Sequence, residues 1–133
     1  MGRGREAAPA PSARSTRMRI VLTLDGHRAA ATLNDSAAAR DLAALLPLTI
    51  GLEDFHHTER IGYPPRKLDT TGAPDASDPK AGDLAYYTPW GNLVLFYRDG
   101  DHSPSLVVLG ALDSREDTDR LATAQRLRIE AAS

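Results

Sequence analysis

GDLAYYTPWGNLVLFYRD, residues 82–99, holds five of the chain's seven aromatic residues: Tyr86, Tyr87, Trp90, Phe96 and Tyr97. It reads as a β-hairpin. Leu84–Tyr87 runs out, Pro89-Trp90-Gly91-Asn92 turns, and Leu93–Arg98 returns. Pro89 suits an early turn position, and Gly91 or Asn92 can take positive φ. In the return strand Leu93, Leu95 and Tyr97 face one way, Val94 and Phe96 the other. Both faces are apolar, so the strand is expected to be buried on both sides, near the centre of a closed or covered sheet.

The flanking sequence extends this pattern. Downstream, SLVVLGALD (105–113) reads as another buried strand, and Ser114-Arg-Glu-Asp opens a short helix to about residue 122 in the manner of a capping box. Arg126–Glu130 alternates polar and apolar residues, as a closing edge strand does. Upstream, MRIVLTLD (18–25) reads as a strand, Asp25-Gly26 as a tight turn and residues 28–33 as the return. Asn34 and Asp35 offer caps to a helix over SAAARDLAALL, which Pro47 stops. LTIGLED (48–54) is a further short strand in which Gly51 marks a bulge or a close backbone approach. Residues 69–82 are turn formers almost throughout. With about seven short strands and two short-to-medium helices, the pattern is mainly β: a small closed barrel or sandwich capped by helices.

Composition narrows the function classes. The 133 residues carry a net charge of −2, which gives no general attraction for nucleic acid or an anionic membrane. With no cysteine, the chain has no thiol catalysis and no thiolate metal site, a composition that fits the cytoplasm. No apolar run approaches the ~18 residues of a membrane span. Residues 1–17, rich in Arg, Ala, Pro and Ser, read as a disordered extension, and Met18 is a second position at which translation can begin. Residues 18–130 form the expected domain.

LNDSAAARDLAALLPLTI (33–50), HTERIGYPPRKL (57–68), AGDLAYYTPWGNLVLFYRD (81–99) and LVVLGALD (106–113) together resemble the bacterial cyclophilin-like fold proteins, most of which have no assigned function. The resemblance implies a cyclophilin-type β-barrel with a helix at each end. True cyclophilins are prolyl isomerases with an arginine following Phe-His. Here Phe55-His56-His57 places His57 where that arginine stands, and Leu93–Tyr97 replaces the Gln-Phe-Phe strand signature. A conventional isomerase is therefore not expected.

The candidate site residues are His57, Glu59, Arg60, Tyr63, Arg66, Tyr87 and Trp90. Trp90 at a turn combines a large apolar face with one donor, and of the adjacent Tyr86 and Tyr87 only one can line a given cleft. Tyr63-Pro64-Pro65-Arg66-Lys67 is a stiffened loop whose arginine fork suits a carboxylate or phosphate, and Tyr63–Pro64 is a position for a cis bond. His57 and Glu59 are an acid–base pair in one reading and solvated groups in the other. The adjacent His56 and His57 diverge on an extended segment, so no metal site is expected, nor any cofactor. These residues point to a small molecule or short peptide held between segment 55–67 and hairpin 86–97, in a monomer or homodimer. The alternative is prolyl isomerisation with a relocated arginine, Arg60 or Arg66.

Overall fold

A computed structural model describes residues 17–132. The expected extension, residues 1–17, lies outside the described residues except for Arg17. The described residues open with β1 (Met18–Leu24) and β2 (His27–Leu33), whose tight turn places both Asp25 and Gly26 at positive φ, 49° and 93°. The Asp25 carboxylate also accepts hydrogen bonds from the backbone N–H of Gln125 and Arg126, fastening a distant strand to this turn.

Helix α1 (Ala37–Ala43) follows, shorter than its Ala-rich sequence suggests, and Ser36 is its N-cap, its hydroxyl accepting from the Ala39 N–H at 3.1 Å. Asn34 instead holds Ser36 through its own side-chain oxygen. Among the described residues the cis peptide bond is Leu46–Pro47, not Tyr63–Pro64.

The stretch anticipated as one short strand is a bent pair, β3 (Leu48–Gly51) and β4 (Glu53–Phe55), hinged at Leu52. Then come β5 (Glu59–Gly62), β6 (Ala76–Ser77), β7 (Asp83–Tyr87), β8 (Asn92–Phe96), β9 (Ser103–Pro104) and β10 (Leu106–Leu112). A 3-10 turn (Arg115–Asp117), helix α2 (Thr118–Thr123) and β11 (Arg126–Ala131) complete the chain.

Nine strands form one antiparallel sheet in the order β3-β11-β1-β2-β10-β7-β8-β5-β4. The two end strands are consecutive in the chain, so the bend at Leu52 joins them and curls the sheet into a barrel. The strands approach closely there. A Cβ on Gly62 would lie 2.7 Å from the Gly51 carbonyl oxygen, so glycine is required at that position. β11, anticipated as an edge strand, is paired on both sides, with β3 and β1. Its polar–apolar alternation is that of a barrel strand with a solvated outer face.

Inward side chains such as Ile20, Leu22, Leu93, Leu109 and Ile129 fill the barrel, each at most 1% exposed. Leu42 of α1 and Leu121 of α2 join this core. The helices cap opposite ends, since α1 follows the end of β2 whereas His27, at its start, bonds Asp117 beside α2.

Candidate functional site

Strands β1, β2 and β11 alternate between buried and more exposed residues, but every residue of β8 is buried. Leu93 and Leu95 point into the barrel. Val94 and Phe96 point outward and join a second apolar cluster with Ala85 of β7 and Leu106 of β10, against which Ile61 and Tyr87 pack. This outer patch is the floor of a cleft of about 440 Å³, within the usual range for a small-molecule site.

Three segments build its walls. The β4–β5 turn brings Phe55, His56, Thr58 and Glu59. Its central residues, His56 and His57, both have positive φ (56° and 54°), as the primed hairpin turns demand. Asp54 holds the turn by accepting from the His57 N–H at 3.0 Å. On the second side Trp90, at the β7–β8 turn, stands edge-on to both Phe55 and Tyr87, with ring centroids 5.4 and 5.6 Å away. The third wall is Gly100–Ser103. A Cβ on Gly100 would sit 2.8 Å from the Phe96 ring, so this segment lies directly on the floor. The β6–β9 pair and a Gly100 N–H bond to the Pro79 carbonyl hold it there.

Two of the polar groups that line the cleft are set against its apolar floor. Asn92 is 1% exposed and lines the cleft, and neither its amide nitrogen nor its oxygen has a hydrogen-bond partner. Glu59 lies opposite Phe96 in the β5–β8 ladder. Burial, reinforced by the nearby Asp54 carboxylate, pushes its carboxyl up to about 7 from an ordinary 4.5. Asp54 itself is held below the usual range, chiefly by the Tyr97 hydroxyl that donates to it. Glu59 can therefore gain or lose a proton near neutrality.

Of the residues singled out from sequence, the structure brings Glu59, Tyr87 and Trp90 together in this cleft. The other four lie elsewhere. Arg60 follows Glu59 on a strand and so faces the opposite way, donating to the carbonyl oxygens of Ala124 and Leu52. Arg66 forms two 2.8 Å hydrogen bonds to Asp41 of α1. Trp90 and Arg66 therefore do not face a common ligand. Tyr63 is 54% exposed and outside the lining, and the His57 side chain projects into solvent, leaving His56 as the histidine of this turn that lines the cleft. Tyr86 points into the barrel, where its hydroxyl accepts from the Leu68 N–H.

The sequence reading treated Asn92 only as a turn residue. Its signal was available: an Asn opening a doubly apolar strand. Among the described residues no group of three or more His, Cys, Asp or Glu side chains is arranged to hold a metal ion. Nor is any described helix long and apolar enough to cross a membrane.

Comparison with known proteins agrees with this architecture. Residues 22–130 match the Cyclophilin-like family. The chain belongs to that family. No curated protein matches it in sequence. Among solved structures it is similar to the hypothetical protein AF2241 from Archaeoglobus fulgidus, with a TM-score of 0.61 and 16% identity over 88% of this chain and 96% of that one. It is also similar to McbB, solved in complex with tryptophan, with a TM-score of 0.57 and 14% identity over 86% of this chain and 45% of that one. The chain thus spans under half of McbB, and at these identities both likenesses establish the cyclophilin-like fold alone.

Proposed function

We propose that this cyclophilin-like domain binds a small molecule in the cleft on the outer wall of its barrel. The observation that carries the reading is Asn92. A buried amide without a partner is unfavourable by roughly 1–3 kcal/mol, and a ligand offering a donor and an acceptor would relieve that penalty. The aromatic wall supplies the rest of the affinity. A ligand ring burying ~150 Å² of apolar area gains roughly 4 kcal/mol before the losses of ordering are subtracted.

The same observations favour binding over prolyl isomerisation by a relocated arginine. That mechanism needs a guanidinium aimed at the prolyl nitrogen, whereas Arg60 and Arg66 are engaged outside the cleft.

NMR shift mapping on the isotope-labelled protein tests the reading. The panel comprises flat aromatic amides, indole, tryptophan (the molecule bound in McbB) and short Xaa-Pro peptides. Binders are expected to move the amide signals of residues 55–59, 87–92 and 100–103. A panel that moves none of these, or acts only on the small hollow beside Met18, Leu33 and Arg40, overturns it.

A further inference from the structure

The charges around the cleft are unbalanced. Glu59 and Asp101 line it, and among the described residues no lysine or arginine does. The basic side chains nearest in sequence are turned elsewhere. Arg60 runs to the carbonyl of Ala124 beneath the wall, and Arg98 lies over the Tyr97 ring, 6.0 Å from its centroid. His102 lines the cleft but has its Nδ1 2.8 Å from an Asp78 carboxylate oxygen. The Glu59 carboxyl has no hydrogen-bond contribution from any described residue. Both acidic residues lie toward the Phe96 end, Glu59 through the strand register and Asp101 because it follows the glycine that rests on that ring.

Four aromatic rings also line the cleft: Phe55, Tyr87, Trp90 and Phe96. Aromatic faces attract cations, by about 0.5–2 kcal/mol according to desolvation. Carboxylates without cationic partners do the same and repel anions. The orphaned Asn92 amide is an independent sign that the cavity is built for an occupant. It lies four residues from Phe96 on β8, or ~13 Å along a strand, so the cleft has an acidic end and an amide end.

Resting on the binding reading above, we infer that the ligand is a small organic cation. It is an amine on an extended apolar body, with its ammonium at Glu59 and Asp101 and its body between Trp90 and Phe96. The Glu59 carboxyl, poised near neutrality, feels the Asp54 carboxylate through space, and His56, Asp101 and His102 are the other titratable groups that line the same cleft. An incoming ammonium favours the ionised form, so binding releases a proton at and below pH 7.

Trp90 is the chain's single tryptophan and stands in the cleft wall, so its fluorescence reports occupancy. The probes are phenylbutylamine, phenylbutanol and phenylbutanoate, which share a ring and chain and differ in charge. The amine is expected to bind at least tenfold tighter than the alcohol, and the carboxylate least. Glu59→Gln should erase the amine's advantage over the alcohol. Added salt should weaken the amine alone. Equal binding of amine and alcohol, or tighter binding of the carboxylate, overturns the cation and leaves the cleft as a ligand site. Binding by none of the three overturns the inference, and a simultaneous failure of the panel above removes the binding reading with it.

Discussion

Glu59 and Phe96 are cross-strand partners in the β5–β8 ladder, a carboxyl group set beside a phenylalanine that is 3% exposed. The pairing explains why burial raises the Glu59 pKa, and it gives the protein a defined dependence on pH. Below pH 4.5 the group is protonated whether the chain is folded or not. Between about 4.5 and 7 the folded state holds a proton that the unfolded chain releases. Stability therefore falls as pH rises through that window and levels off above it. Glu59→Gln should remove the Glu59 part of the decline, keeping the smaller one from Asp83, whose carboxyl burial also raises, and leave the variant more stable at pH 8 by roughly 1–2 kcal/mol, a figure discounted for partial exposure. Thermal melts of both proteins across the window check this.

The inward neighbour of a cleft residue should behave differently. Tyr86→Phe strips the acceptor from the buried Leu68 N–H, 3.0 Å from the hydroxyl, and should lower stability by about 1–3 kcal/mol in urea denaturation. Ligand binding should be unchanged, because the ring lies inside the barrel.

Gly110 sits at a register shift in β10, where a Cβ would come within 2.2 Å of the Thr32 carbonyl oxygen. The obstacle is backbone, which cannot swing aside. Gly110→Ala is expected to destabilise by about 3 kcal/mol, measured by the same denaturation.

The fold was legible where local chemistry determines it. Asp25-Gly26 and Pro89–Asn92 announced their turns, and the double-sided apolarity of residues 93–96 marked a strand covered on both faces and paired on both edges, although it stands seventh of nine in the sheet and not at its centre. The layer that covers it was not visible from sequence. It comes from the 99–105 segment and the β4–β5 turn, whose positions depend on contacts such as Gly100 with Pro79. β11 looked like an edge because alternation is the same for an edge strand and for a barrel strand with a wet outer face.

The site divides along similar lines. Glu59, Tyr87 and Trp90 follow from strand parity and turn position. Arg60 and Arg66 find their partners 64 and 25 residues away, beyond the reach of any local pattern. His57 and His56 exchange roles through the backbone of one tight turn, which side-chain chemistry does not reveal.

The central claim is that the outer-wall cleft is a ligand site organised by Asn92. Its most direct test pairs two properties of one variant, Asn92→Leu. An apolar side chain of similar size removes the orphaned amide, so the variant should be more stable by about 1 kcal/mol and melt at a higher temperature. It should also bind the strongest compound of the panel at least tenfold more weakly. A variant that melts lower and binds with unchanged affinity would make Asn92 a packing residue and contradict the account.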